Sequence, residues 1–171
     1  MLPSQSLVIR KMVLEDINLI ATSFRAQGWD GRETVLTQYY REQEAGERVV
    51  FVAEVTELVG YVTLKPVATE GPFKDRYPEI VDFNIFERFQ KHGYGSLLIA
   101  SVEERAKEMA AIVTLGVGLH AGYGPAQRLY SKRGYVPDGS GVWYKNEPLK
   151  MNALCRNDDE LVLYLSKELE R

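Results

Sequence analysis

The sequence predicts an α/β domain (α+β by some schemes), and three observations carry that reading. The chain has 171 residues, the size of a single domain. Runs rich in Val and aromatic residues alternate with helically spaced stretches, in the order hairpin, strand, helix, strand, helix, strand. A glycine-bearing turn joins one of those strands to the strongest helical stretch in the chain, Leu97–Met109. We therefore expect one domain over residues 1–171, with no internal repeat or linker, and with a loop or hairpin excursion over 139–159 inside it.

Each element has a local reason. Leu7–Ile9 forms the core of an opening strand. Asp16 is placed to cap a helix whose Ile17, Ile20 and Phe24 share one face, and Gly28-Trp29-Asp30-Gly31 breaks it. Val35, Leu36, Tyr39 and Tyr40 make a stripe on a second helix over Glu33–Glu44, ended by Gly46. Val49–Val55 and Leu58–Leu64 read as a hairpin across Thr56-Glu57. Pro66–Pro78 is polar and rich in Pro and Gly, hence a loop. Ile80–Ile85 is a strand, then comes the glycine turn, then the long helix with Leu98, Val102, Ala106 and Met109 on one face. Ile112–Leu119 is a strand, and Gly124-Pro125 opens a short helix that Gly134 stops. Tyr135-Val136 and Val142–Tyr144 are extended on either side of a Gly-rich turn, and Leu161–Leu165 closes the domain.

Composition excludes several classes. Apolar residues are 45% and charged residues 26%, a globular balance rather than a disordered or coiled-coil one. The formal charge is −3, without the basic surplus expected of a nucleic-acid binder; Arg128, Lys132 and Arg133 form a small basic cluster only. A single cysteine, Cys155, cannot close an internal disulfide, and with two histidines, His92 and His120, there is no zinc-type cluster. The N-terminal stretch lacks the layout of a leader, and no apolar run is long enough to span a membrane. These features lead us to expect a cytoplasmic protein with neither membrane nor nucleic-acid partners.

The turn Gln90-Lys91-His92-Gly93-Tyr94-Gly95-Ser96 carries chemistry. Glycines let a ligand approach the backbone, and the first turn of the following helix leaves its N–H groups unpaired, which suits a phosphate or pyrophosphate. The spacing is neither a Walker loop nor a dinucleotide fingerprint. It resembles the acetyl-coenzyme A signature of the GCN5-related N-acetyltransferase (GNAT) superfamily, [Gln/Arg]-x-x-Gly-x-[Gly/Ala]. A second element, Ala126-x-x-Leu129-Tyr130-x-x-x-Gly134-Tyr135, follows at the family's distance, and the resemblance spans nearly the whole chain. Tyr123 stands where the family often has Asn. The Leu119–Tyr144 stretch is similar to an uncharacterised bacterial subgroup.

That resemblance implies a mixed, mostly antiparallel sheet flanked by helices, with splayed central strands, and acetyl-CoA as the acyl donor without a metal. It implies direct acetyl transfer to a primary amine of a small molecule or peptide, by a monomer or homodimer. Main-chain groups of Phe83 and Ile85 would meet the pantetheine arm, with the Ile85 N–H near the thioester oxygen. Gln90, Lys91, His92, Gly93, Tyr94, Gly95 and Ser96 would hold the pyrophosphate. Tyr130 would protonate the departing thiolate. The base is open among Glu79, Asp82, His120 and a water relay. Tyr123, Tyr135 and Tyr144, or the wall of Phe24, Trp29, Tyr39 and Tyr40, would line the acceptor side. The alternative is a catalytically silent CoA-binding sensor or partner protein.

Overall fold

The structure, a computed structural model, describes residues 6–170. Both ends of the expected domain, 1–5 and 171, lie outside the described residues, as do the first five residues of the stretch tested for a leader. In chain order the elements are β1 (Val8–Lys11), α1 (Asp16–Ala26), α2 (Glu33–Glu44), β2 (Val49–Glu54), β3 (Leu58–Lys65), β4 (Glu79–Ile85), α3 (Tyr94–Lys107), β5 (Ile112–Gly118), α4 (Gly124–Lys132), β6 (Val136–Tyr144), β7 (Glu147–Pro148) and β8 (Leu161–Glu168). Short 3-10 turns cover Glu87–Phe89 and Ala121–Tyr123. The sheet order is β1-β2-β3-β4-β5-β8-β6-β7. The β4–β5 ladder is parallel and only two pairs long, Glu79↔Thr114 and Ile80↔Leu115. The ladders β1–β2, β2–β3, β5–β8, β6–β7 and β6–β8 are antiparallel. The expected class and the mostly antiparallel sheet are both present.

The chain divides into two compact units, one built from residues up to 65 with 81–105, the other from 66–80 with 106 onward. In the first, Ile17, Ile20 and Phe24 of α1 and Leu36 of α2 pack with Val50, Val52, Tyr61 and Phe86. This is the helical stripe read from the sequence, removed from water. Asp16 does not cap α1 as expected. Its carboxylate turns back to the N–H of Val13 at 2.8 Å and to Arg10 at 2.8 and 2.9 Å. Asp16 therefore ties the turn before α1 to Arg10 of β1, while the N-cap Glu15 makes no side-chain cap bond.

The second unit is organised around β8. Tyr164 packs with Ala68, Phe73, Tyr77 and Trp143, which seats the Pro66–Pro78 loop against the strands. β6 differs from expectation. The predicted Gly-rich turn is instead a bulge inside one continuous strand, where Gly139 and Gly141 take φ of 90° and 79°. The pairing to β8 resumes at Val142↔Leu163 after Pro137↔Leu165. β8 also runs three residues past its predicted end, to Glu168. α4 starts at Gly124 and Gly134 stops it with φ 90°, both as read. No helix among the described residues is long and apolar enough to cross a membrane.

Gly60 on β3 is where the first unit tolerates no side chain. A Cβ there would stand 2.3 Å from the Asn84 carbonyl oxygen and 3.1 Å from the Ile85 Cα, both backbone atoms. Gly60→Ala should therefore lower the urea midpoint, with a loss of about 1–3 kcal/mol in unfolding free energy and an unchanged m-value.

Candidate active site

The signature turn leaves β4 and enters α3. Gln90 is extended, with φ −68° and ψ 158°. Lys91 and Gly93 take left-handed φ of 65° and 82°. A Cβ on Gly93 would meet nothing within 4 Å, so its glycine is required by the backbone turn and not by a packed neighbour. α3 begins at Tyr94, three residues earlier than the apolar pattern suggests, because Gly95 and Ser96 sit in the first turn, where helix amides have no intrahelical partner. The turn is braced to its own strand: Gln90 Nε2 donates to the Ile85 carbonyl at 3.0 Å. His92 Nδ1 lies 3.1 Å from the Phe89 carbonyl, which can only accept, so Nδ1 carries a proton. The His92 ring stacks on Tyr94 at 5.7 Å. Lys91, His92, Gly93 and Ser96 are exposed; Tyr94 and Gly95 are half-buried.

Asp82 breaks β4 with a φ of 55°, a left-handed backbone in mid-strand that a short polar side chain tolerates. The kink turns its carboxylate into a dense set of donors. Oδ1 accepts from Asn84 Nδ2 at 2.6 Å and Arg32 Nη1 at 3.2 Å. Oδ2 accepts from the hydroxyls of Tyr39 and Tyr61, both at 2.9 Å, and from Arg32 Nη2 at 2.9 Å. Arg32 Nη1 also donates to the Tyr61 hydroxyl at 2.7 Å. A carboxylate has about four lone-pair positions, so this one is fully used. Burial pushes Tyr39 up to about 12, with Asp82 adding to the effect. The same causes raise Tyr61 further still. Burial opposes the Arg32 charge, but the hydrogen bond and charge of Asp82 outweigh it and hold the guanidinium protonated.

The second unit carries Glu79 and Tyr130. Glu79 is buried at the start of β4 and pairs with Thr114. Two residues along β5 from Thr114, Gly116 pairs with Tyr164 on β8. A Cβ on Gly116 would lie 3.1 Å from Tyr164 Cε1, so the missing side chain is the space over which that ring lies. Burial first, then the charges of Glu79 and Glu70, push Tyr164 up to about 12. Tyr130, on α4, is 6% exposed and packs on Tyr135 with ring centroids 5.7 Å apart. Burial raises its pKa, and the nearby Tyr123 adds to the shift. Tyr123 itself lies on Gly118, where a Cβ would stand 2.3 Å from its ring.

A family model decides the classification: that of the "Acetyltransferase (GNAT) family" matches residues 14–135. The chain belongs to the GNAT acetyltransferase family. Among curated proteins none matches the sequence. Solved GNAT-type structures are similar in fold. A GNAT-family protein from Desulfovibrio desulfuricans has a TM-score of 0.71 at 13% identity, covering 96% of this chain and 100% of that one. A spermidine N-acetyltransferase chimera of the Vibrio cholerae enzyme and hSSAT has a TM-score of 0.69 at 17% identity, over 97% and 96% of the two chains. A Salmonella typhimurium protein with its cofactor acetyl-CoA has a TM-score of 0.65 at 17% identity, over 96% and 94%.

Within this GNAT frame the expected site residues fall into two sets. Asp82, Phe83, Ile85 and the 90–96 turn belong to the first unit; Glu79 and Tyr130 belong to the second. Of the expected aromatic wall, Phe24 is core at 1% exposed, Trp29 is 51% exposed and stacks on Phe24, and Tyr39 is committed to Asp82. In the second unit, His120 Nε2 lies 2.6 Å from Asp159, and its Nδ1 accepts from the Gly122 N–H at 3.0 Å. Tyr135 is buried, the Tyr144 hydroxyl reaches Asp158 at 3.5 Å, and Cys155 is exposed. No group of His, Cys, Asp or Glu that could hold a metal occurs among the described residues. Sequence reasoning missed Arg32, Tyr61, Asn84 and Tyr164. The available signal was Asp82-x-Asn84, two polar residues at strand period two inside an apolar run, which demands buried partners.

The raised phenols set an alkaline limit. A phenol with a higher pKa folded than unfolded stabilises the fold below the unfolded value of about 10 and loses that contribution as pH rises through the folded one. With Tyr39 and Tyr164 both near about 12, stability should fall between about pH 10 and 12. Absorbance at 295 nm should show the Tyr39→Phe difference only above pH 11 or so, whereas a difference at pH 10 would contradict the burial of that hydroxyl.

Proposed function

We propose that this GNAT protein transfers an acetyl group from acetyl-CoA to a primary amine of a small molecule or peptide. The observation that supports this most is the braced, left-handed turn at 90–96 opening directly onto unpaired amides at the start of α3. Such amides suit a pyrophosphate, and the vacant space beside Gly93 leaves the backbone approachable. In this reading the N–H groups from Lys91 through Ser96 take the pyrophosphate, and Gln90 keeps the turn fixed to the end of β4. Main-chain groups of Phe83 and Ile85 line the acyl arm. Acetyl-CoA supplies the activated acyl group; what the chain adds is orientation and the handling of two protons.

Tyr130 is the proposed proton donor to the sulfur. Its burial keeps the phenol protonated across the working pH range, so a proton is always present to give. Glu79 is the proposed acceptor of the amine proton. Asp82 was the rival, but its five donors leave no lone pair for that task, and we assign it to holding the strand instead. The acceptor chemistry of relatives, spermidine in one of them, is compatible with an amine substrate here.

Release of CoA from acetyl-CoA, followed by thiol detection across polyamines, amino acids, aminoglycosides and short peptides, tests this reading. We expect amine-dependent release that falls by about 100-fold in kcat for Tyr130→Phe. Glu79→Gln should remove the acidic limb of the kcat/KM profile, leaving CoA binding intact. Tight CoA binding with no release across all amine classes would instead favour a catalytically silent binder.

A further inference from the structure

We propose that Arg32 is a carboxylate-binding residue for the acceptor, so that the acetylated amine belongs to an amino acid or to another molecule with a carboxylate close to that amine. This rests on the transferase reading for the identity of the ligand, while the site itself rests on the geometry of Arg32.

Arg32 is held from several sides. It precedes α2 in a left-handed conformation with φ 61°, and its backbone N–H donates to the Asp30 carboxylate at 2.7 Å. Its Nη1–Nη2 edge is spent on Asp82, and the second Nη1 proton goes to the Tyr61 hydroxyl. The Nε–H and the remaining Nη2 proton share the other edge of the guanidinium. Neither meets a hydrogen-bond partner among the described residues, and the side chain is 31% exposed. One half of a planar donor fork is thus immobilised, and the other half is unspent on a side chain that is partly open to solvent. That is the arrangement a carboxylate engages with two parallel hydrogen bonds, and the clamp has already removed the freedom that binding would otherwise cost.

The surroundings favour the same ligand. Three carboxylates close to Arg32 in the chain or in its network each have a partner: Asp30 the Arg32 N–H, Glu33 the Arg25 guanidinium, and Asp82 the opposite edge of the fork. Trp29, half exposed and stacked on Phe24, supplies apolar surface next to the fork's own element, and the Arg32 guanidinium stands 5.8 Å from the Phe24 ring centre. Asp82 and Asn84, which anchor the network, share β4 with Phe83 and Ile85, the pair proposed for the acyl arm. A polyamine would find the opposite of what it needs here, since the one nearby strand carboxylate has no lone pair left.

Binding can be read without turnover. Arginine Nε–H signals of ¹⁵N-labelled protein would be followed while adding N-acetylglycine, N-acetylleucine and their carboxamides, with Arg32→Lys identifying the Arg32 signal. We expect a saturable shift of that signal with the acids and about tenfold or more weaker binding of the amides, the discrimination being lost in Arg32→Lys. Equal affinity for acid and amide, no saturable shift with any probe, or discrimination that survives Arg32→Lys would each overturn the proposal. Acid and amide affinities of the wild type, read by calorimetry, need neither the variant nor a signal assignment, so poor folding of Arg32→Lys would not blunt the comparison. Acid-selective binding at Arg32 together with no CoA release for any amine would leave the carboxylate site standing and remove the transferase reading.

Discussion

A carboxylate that is only 13% exposed, in the middle of a strand, must be surrounded by donors or neutralised, and Asp82 is surrounded. Its partners come from the start of α2, the middle of α2, β3 and β4 itself. The left-handed backbone at Asp82 costs of order 1 kcal/mol or more, and a full complement of charge-assisted hydrogen bonds offsets it. Because Tyr61 accepts from Arg32 while donating to Asp82, the network is closed: moving any member strands another. This closure fixes where α2 begins, how β3 lies against β4, and which edge of the Arg32 fork is spent.

Two acidic residues three positions apart on one strand therefore live under opposite conditions. Asp82 is surrounded by a guanidinium and hydroxyl donors. Glu79 is buried near a phenol whose proton its charge makes harder to remove. Environments that differ this much give two carboxylates of one strand unlike surroundings, and the donors around Asp82 give it a structural duty. Neither environment could be deduced from residue type alone.

Much of the architecture was legible because it follows from local rules. The helix α2 has the predicted bounds, Glu33–Glu44, and the hairpin of β2 and β3 lies where its Val-rich runs place it. The signature turn could be read because the glycine at 93 has a backbone cause, a left-handed φ of 82°. The remainder was hidden because it depends on long-range placement. Asp16 looked like a cap, and only the neighbouring strand's Arg10 shows why it turns back. The bulge in β6 looked like a turn, since a pair of left-handed glycines is compatible with either until a partner strand sets the register. Arg32 resembles any surface arginine until Asp82 and Tyr61 are seen to hold it. Among the expected acceptor-side aromatics, Phe24 and Tyr39 were claimed by the core and by the Asp82 network.

The ring of Tyr164 occupies a slot one phenol wide. Gly71 bounds it at the hydroxyl end, where an added Cβ would come within 2.6 Å of Cζ, and Gly116 bounds it along one edge. The three positions are far apart in sequence yet share one volume. Changes there are consequently coupled: a methyl group at position 71 collides with the tyrosine ring, and a smaller residue at 164 removes that collision but leaves the cost of a side chain at a φ of 75°. A smaller residue at 164 would remove only part of the constraint, because position 71 keeps a left-handed φ of 75° and a Cβ at 116 would still stand 2.9 Å from Val162 Cγ1, so each glycine is held by two causes at once.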